Sequence, residues 1–212
     1  MDNLIYILFV SVFVPIMLMA CLIEKKARQP IIFVLIGIFF SVFAAEINGL
    51  LSLLLPLSSY EITIIVTPIT EEILKAIPIL ICATVLSAKK EALFTASMAV
   101  GIGFAVLENA YYLLSYTSFN MIDAIIRAFG AGLMHGMCTL LVGVGISFVK
   151  RKSKLFVVGT FALLSTAITY HGIYNMLVQS DYLVVGFLLP LATYLPFIVW
   201  RIKKRIKKQI YK

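Results

Sequence analysis

Long runs of apolar residues, separated by short charged or turn-forming segments, constrain this chain more than any other feature of its sequence. A helix needs about 20 mainly apolar residues to cross roughly 30 Å of hydrocarbon. Seven stretches approach or exceed that length, at 4–23, 31–55, 62–87, 92–116, 122–149, 155–178 and 182–200. Because 62% of the 212 residues are hydrophobic and only 13% are charged, too little polar surface remains for a soluble domain. The sequence therefore predicts an all-α, polytopic integral membrane helix bundle with about seven transmembrane helices.

The positive charges indicate how this bundle is oriented. Sixteen of the 18 Lys and Arg residues follow the first, third, fifth and seventh apolar stretches, and the other connecting segments contain none. An excess of Lys and Arg on one side of a membrane protein marks the cytoplasmic face. We therefore expect the N-terminus outside and the C-terminus inside, with one transmembrane domain over residues 1–212 and a basic cytoplasmic tail at 201–212.

The net charge of +8 would raise the question of nucleic-acid binding in a soluble protein. Topology explains the excess here, so the expected partner is the lipid bilayer and not nucleic acid. The tail places Ile202, Ile206 and Ile210 four residues apart, which would suit an amphipathic helix on anionic lipid. We favour the simpler interpretation of the tail as a topology anchor.

Several ionisable side chains remain inside the apolar stretches. Such a group costs about 2.5–3.5 kcal/mol at the membrane centre and usually belongs to a pathway or a reaction site. At a rise of 1.5 Å per residue, five of these side chains fall roughly 10–20 Å below the outer surface. They are Glu46, Glu71, Glu108, His135 and His171. The sequence therefore predicts a polar chamber in the outer half of the membrane.

Helical spacing indicates which of these side chains meet on the third stretch. Lys75 follows Glu71 by four residues and Glu72 by three, so its ammonium group can reach either carboxylate. Pro68 and Pro78 lie on either side, and each removes a helical hydrogen bond and makes room for water. The simpler alternative is a neutralised cluster that only packs helices.

Two further stretches contribute candidates by the same spacing. Phe104 and Glu108 share a helix face and Asn109 follows them, while His171 and Asn175 point together on a later stretch. Glu108 could instead be a hydrogen-bonding residue between helices. A single buried histidine is more often part of a core than a catalyst, but several polar groups at one depth favour a site.

The remaining candidates are less specific. Arg127 follows Asp123 by four residues, so an ion pair at the membrane interface is as plausible as a role in the site. Glu46 is interpreted as an outer partner of the site. Glycines make close helix contacts possible, at Gly101 and Gly103 on one stretch and as a Gly132/Gly136 contact face around His135 on another.

Missing motifs exclude several kinds of chemistry. The sequence contains no HExxH, no GxSxG-like nucleophile opposite a histidine and no GxxxxGK[ST]. Its three aspartates lie near the outer surface, which excludes a buried aspartyl dyad. Carboxylates and histidines remain, and a buried Glu can act as a general base toward water while His and Asn donate to an oxyanion. This set favours amide hydrolysis within the membrane, although His and Glu also suit zinc.

Four motifs occur in order over about half of the chain: EExxK at 71–75, GxGFAxxEN at 101–109, an arginine eight residues before His135, and HGxYN at 171–175. In these motifs the chain resembles the PrsW family of bacterial intramembrane proteases, which is similar to the CAAX prenyl protease and bacteriocin-processing superfamily. The resemblance implies a multi-pass protein of the bacterial cytoplasmic membrane. It further implies site-1 cleavage of a single-span anti-sigma factor on its extracytoplasmic side, which releases a sigma factor in an envelope-stress response.

The resemblance also implies roles for individual residues. Glu71 and Glu72 correspond to the paired glutamates, one of which activates water, and Lys75 orients them. His171 and Asn175 correspond to the oxyanion hole. Glu108 stands where CAAX-type relatives have histidine, and His135 matches another family histidine. The catalytic candidates are Glu71, Glu72, Glu108, His135, His171 and Asn175, and the supporting candidates are Lys75, Phe104, Asn109, Arg127 and Glu46.

Two alternatives stay open at this stage. We favour a glutamic, metal-free protease without a cofactor, because no tight ligand motif is present. If the enzyme depends on zinc, the candidate ligands are Glu71, Glu72, Glu108, His135 and His171. The alternative function is a small proton- or cation-coupled transporter that uses buried carboxylates, although the internal repeat and paired broken helices typical of transporters are not evident.

Overall fold

The computed structural model describes residues 4–22, 24–86, 88–115, 121–149 and 153–210, and the regular structure in these ranges is helical throughout. Three elements follow one another without a break: α3 (Ser59–Glu61), a π-helical segment (Ile62–Val66) and α4 (Thr67–Thr84). The others are α1 (Leu4–Leu22), α2 (Lys25–Leu54), α5 (Lys90–Ser115), α6 (Met121–Ile146), α7 (Ser153–Val178) and α8 (Leu183–Ile210). The prediction of an all-α fold is confirmed.

Five helices, α1, α2, α5, α6 and α7, are long and apolar enough to cross a membrane. Helix α4 carries three charged residues within five positions, and the apolar part of α8 is the shorter segment Leu183–Pro196. The chain is thus a membrane protein with at least five candidate spans among the described residues. The crossing of α4 and α8, and the orientation of the bundle, stay predictions.

The helix ends differ from the predicted ones where charged residues flank an apolar stretch. Helix α2 begins at Lys25, six residues before the predicted start at 31, and α8 continues to Ile210 through most of the predicted tail. Lys and Arg are good helix formers. Hydropathy therefore located the apolar part of each helix, while the helix itself extends into the polar flank.

Glycine allows close contacts of the central helix α5, which packs between α2 and α6. A Cβ on Gly103 would lie 2.1 Å from the Val34 carbonyl oxygen of α2, and one on Gly101 would lie 2.3 Å from the His135 carbonyl oxygen of α6. The predicted close approach is confirmed for both. The predicted Gly132/Gly136 contact face is wrong for Gly132, because a Cβ there would meet nothing within 4 Å.

A π-helical turn precedes α4 and places it relative to α7. In this turn the Thr67 N–H donates to the Ile62 carbonyl, one residue farther back than in an α-helix. Helix α7 approaches the turn so closely that a Cβ on Gly172 would lie 2.7 Å from the Ile64 carbonyl oxygen. Since Gly172 is the neighbour of His171, this contact brings the polar residues of α4 and α7 together.

We expect Gly101→Ala to destabilise the bundle by about 1–3 kcal/mol, the usual range for an overpacked contact, because the backbone of α6 must move away from α5. Gly132→Ala is the matched control, since the methyl group that it adds to α6 enters open space. Unfolding in detergent, followed by circular dichroism against denaturant, measures both. Equal stability of the two variants would contradict the close α5–α6 contact.

Candidate active site

The buried polar side chains of four helices converge at one place in the bundle. Five of them are at most 4% exposed: Glu71, Glu72 and Lys75 on α4, His135 on α6 and His171 on α7. Helix α5 adds Glu108, whose side chain is 18% exposed. The sequence-predicted clustering of these residues is therefore seen in the structure, while their catalytic roles stay predictions.

Glu72 is the centre of the cluster. Its Oε1 lies 2.7 Å from Lys75 Nζ and 2.8 Å from His171 Nδ1, and all three side chains are at most 1% exposed. Lys75 has two carboxylates within reach on α4, and it pairs with that of Glu72. A carboxylate this deeply buried is tolerated because a cation and an N–H donor satisfy it.

Lys75 has a second polar partner on another helix. Its Nζ lies 2.7 Å from His135 Nδ1 and 4.6 Å from the centre of the Phe104 ring. The His135 ring also packs edge-to-face against His171, with ring centres 4.8 Å apart. The ammonium group therefore joins Glu72 to His135, and Glu72 in turn contacts His171. The Phe104 ring is the apolar neighbour of the ammonium group.

Glu71 is the carboxylate of the pair that remains open. Its Oε2 is buried and has no hydrogen-bond partner among the described residues. His171 Nε2 lies 3.9 Å from this oxygen. This separation is too long for a direct hydrogen bond, but one water molecule could bridge the two atoms.

Glu108 joins the cluster from the more exposed side. Its Oε2 lies 2.6 Å from His135 Nε2, and its Oε1 lies 3.7 Å from a guanidinium nitrogen of Arg127. Arg127 also stacks over Tyr112, at 4.1 Å from the ring centre. Arg127 thus belongs to the site, whereas the side chain of its other predicted partner, Asp123, lies outside the described residues.

Asn175 is held by a backbone group that sequence reasoning missed. Its Nδ2 donates to the Thr63 carbonyl at 3.0 Å, within the π-helical turn. Pro68 has no N–H and follows Thr63 by five residues, the spacing of a π-helical hydrogen bond. The proline thus leaves the Thr63 carbonyl without its helical donor, and the α7 amide replaces it. Pro68 was the available signal in the sequence.

The two remaining supporting candidates differ. Asn109 donates to the Arg127 carbonyl at 3.2 Å and so ties α5 to α6 beside the site. Glu46 accepts a hydrogen bond from the Tyr6 hydroxyl group of α1. Among the described residues, the Glu46 side chain is thus bonded to α1. The predicted role of Glu46 as an outer partner of the site stays untested.

A cavity of about 380 Å³ leads to this cluster. It opens where α5 and α7 end and α6 and α8 begin, which is the end of the bundle opposite Lys89, Lys90 and Lys154. Polar and aromatic side chains line it, with apolar ones at its rim: Thr63, Glu108, Tyr112, Ile126, Arg127, Tyr174, Asn175, Val178, Gln179 and Leu183. The cavity gives the half-buried Glu108 and Asn175 access to a substrate.

A possible metal site overlaps this cluster. One ligand atom each of Glu71, His135 and His171 lies within 4.8 Å of the others, and all three residues are buried. The donor types and their spacing suit zinc, which takes three protein ligands in catalytic sites. The contact at His135 does not suit it, because a ligating histidine donates its second nitrogen to an acceptor, and an ammonium group accepts nothing. While Lys75 is bonded to His135, these three residues do not fit a catalytic zinc site.

The family model described as PrsW family intramembrane metalloprotease matches residues 25–201. This range contains all of the site residues and excludes α1, the helix that contributes Tyr6. No curated protein and no solved structure matches the chain. The word metalloprotease in the family description stands against our preference for a metal-free site, and that preference is not confirmed.

We expect Glu72→Gln to reduce the stability of the bundle by about 3–5 kcal/mol, because the buried Lys75 ammonium loses its counter-ion. Glu91→Gln is the matched control: Glu91 is exposed in the first turn of α5, where the same change costs at most about 1 kcal/mol. Thermal unfolding of both variants in one detergent measures the difference. A Glu72→Gln variant as stable as the control would show that the ion pair contributes nothing.

Proposed function

The chain belongs to the PrsW family of intramembrane proteases, and we propose that it hydrolyses a peptide bond of a membrane-bound substrate through a glutamic mechanism. One observation carries the proposal: the buried, open oxygen Glu71 Oε2 faces His171 Nε2 across 3.9 Å. Family membership favours hydrolysis over the alternative of a cation-coupled transporter, which no contact in the described residues specifically supports.

Glu71 is the general base of the proposed reaction. A water molecule between Glu71 Oε2 and His171 Nε2 can donate one hydrogen to each atom, which turns an oxygen lone pair toward the substrate. Glu71 then takes the proton as the oxygen attacks the peptide carbonyl carbon. Such a positioned base contributes about 10²–10⁴-fold to a reaction rate.

Asn175 and Glu108 serve the other two requirements of amide hydrolysis. The Asn175 amide has two hydrogens, and since one donates to Thr63, the second is available for the developing oxyanion in the cavity. Glu108 lies at the inner wall of the same cavity and is the most exposed carboxylate of the cluster. We assign to it the relay of the proton that Glu71 takes from water to the leaving amine, and Arg127 is the counter-ion of the Glu108 carboxylate before and after that transfer.

No step of this mechanism passes through a metal ion. The Lys75 contact at His135 Nδ1 disfavours that histidine as the third protein ligand that a typical catalytic zinc site requires. Zinc nevertheless remains the alternative that the family description names. A chelator distinguishes the two mechanisms in the experiment below.

The proposed substrate is a single-span anti-sigma factor, cut on its extracytoplasmic side in the bacterial cytoplasmic membrane. The site cavity opens at the end of the bundle away from the described basic residues Lys89, Lys90 and Lys154. Because such residues mark the cytoplasmic side, this supports entry of the substrate from outside. Site-1 cleavage there would allow later proteolysis to free a sigma factor during envelope stress.

We expect Glu71→Gln to lower cleavage of a single-span substrate at least about 100-fold, since the amide cannot take a proton from water. Purified enzyme is incubated in proteoliposomes with a candidate anti-sigma factor, and the product is followed on a gel. Glu91→Gln is the control, because Glu91 is exposed in the first turn of α5, at the end of the helix away from the cavity. Glu71→Ala and Glu72→Ala are run beside them, and undiminished cleavage in both alanine variants would refute the proposed function.

The same assay with a strong chelator tests the metal-free mechanism. We expect cleavage to be unchanged, because neither Glu71 nor His171 needs an ion for its role. Loss of cleavage in chelator, with recovery on addition of zinc, would overturn the glutamic mechanism and leave the protease function intact.

The proposed orientation predicts the behaviour of fusion proteins. A fluorescent protein that folds only in the cytoplasm should be bright when joined to the C-terminus, because the basic end of the bundle faces inside. A periplasmic alkaline phosphatase inserted between α5 and α6, next to the mouth of the site cavity, should be active. The reverse pattern would place the cavity on the cytoplasmic side and exclude the proposed site-1 cleavage.

A further inference from the structure

We propose that the buried Lys75–Glu72 ion pair holds the two histidines of the site in opposite tautomers. His171 then carries its proton on Nδ1 and presents a bare Nε2, whereas His135 carries its proton on Nε2 and presents a bare Nδ1. The catalytic meaning of this arrangement rests on the proposed function, but the tautomers are properties of the protein alone. Lys75 is thus a positioning residue for His135, in addition to its role as counter-ion of Glu72.

The tautomer of His171 follows from its partner. An ionised carboxylate only accepts hydrogen bonds. Glu72 Oε1 lies 2.8 Å from His171 Nδ1, so this nitrogen must be the donor. The lone pair of a neutral His171 is therefore on Nε2, the atom that faces Glu71 Oε2 at 3.9 Å.

The tautomer of His135 follows from the opposite kind of partner. An ammonium group has three donors and no acceptor. The 2.7 Å contact between Lys75 Nζ and the buried Glu72 carboxylate favours the ammonium form, because a carboxylate without a cation would be costly there. Lys75 Nζ is also 2.7 Å from His135 Nδ1, so this nitrogen must accept. The proton of a neutral His135 is then on Nε2.

The Nε2 proton of His135 has an acceptor beside it. Glu108 Oε2 lies 2.6 Å away at ion-pair distance, although the two atoms are not aligned as a hydrogen bond. The ring therefore has the Lys75 donor at one nitrogen and a carboxylate oxygen near the other. A half-turn of the ring would lose both contacts. Packing against His171 and Phe104, whose ring centres lie 4.8 and 5.3 Å from that of His135, holds the plane of the ring in place.

The two tautomers separate the functions of two otherwise similar histidines. His171 can accept a hydrogen from the attacking water together with Glu71, while His135 presents its protonated Nε2 to Glu108 Oε2, 2.6 Å away. A metal ion that needs three ligands, by contrast, requires a bare Nε2 on His135 or the departure of Lys75. The Lys75 contact therefore disfavours the Glu71, His135 and His171 trio as a zinc site.

The test is direct because the chain contains only two histidines. The full-length protein is labelled with ¹⁵N-histidine, treated with chelator and examined by NMR in micelles or lipid. Nitrogen shifts and couplings to ring protons distinguish the two tautomers, and His135→Asn and His171→Asn spectra assign the signals. We expect an Nε2-protonated His135 and an Nδ1-protonated His171. An Nδ1-protonated His135, or two identical tautomers, overturns the proposal.

Substitution of Lys75 tests its part in this arrangement. Lys75→Arg keeps a donor-only cation and should retain the His135 tautomer, while Glu72→Gln/Lys75→Met removes both charges together and so avoids a lone buried ion. In this double variant we expect the His135 signal to shift toward the other tautomer. An unchanged His135 signal in the double variant overturns the positioning role of Lys75.

Metal content provides a measurement that is independent of both NMR and activity. Purified wild-type protein is dialysed against zinc and then buffer, and bound metal is measured by elemental analysis beside His135→Asn. We expect the wild-type protein and His135→Asn to contain the same amount of zinc. One zinc per chain that His135→Asn loses would overturn the proposal, whereas normal tautomers without substrate cleavage would refute only the proposed protease function.

Discussion

The whole site depends on the stabilisation of one buried carboxylate inside an apolar helix bundle. Glu72 Oε1 receives Lys75 Nζ at 2.7 Å and His171 Nδ1 at 2.8 Å, and these side chains come from α4 and α7. An ion without partners at this depth would cost several kcal/mol, so the helices cannot separate without exposing it. The same Lys75 contacts His135 of α6, which extends the constraint to a third helix.

This arrangement leaves Glu71 as the reactive member of the glutamate pair. Both residues are adjacent on α4, yet Glu72 is fixed through Oε1 by two partners, whereas Glu71 Oε2 faces His171 Nε2 at 3.9 Å. The Oε2 atoms of both have no hydrogen-bond partner among the described residues. A carboxylate bound to a cation and an N–H donor holds the structure together, whereas one without such partners can accept a proton from water. The chemical difference between two identical side chains thus comes from their neighbours alone.

Much of the fold and of the site could be predicted from the sequence. Apolar runs located seven helical stretches, and the position of each ionisable residue within its stretch indicated that Glu71, Glu108, His135 and His171 would meet. The pairing between them could not be predicted, because Lys75 reaches Glu71 and Glu72 equally well by helical spacing. The role of the Thr63 carbonyl was missed, although Pro68 marks the lost donor, and the Gly132 contact was wrong because that face of α6 meets open space.

Sequence alone determined which segments are helical and predicted that several polar residues share one layer, since hydropathy and the helical repeat are local properties of the chain. It also indicated the family through four ordered motifs. Only the tertiary structure decided which nitrogen of each histidine is engaged, which glutamate is open and which backbone carbonyl holds Asn175. These depend on the rotation of α4, α5, α6 and α7 about their axes to within an ångström. Hydrogen bonds demand that precision, whereas the partition of apolar residues into a membrane does not.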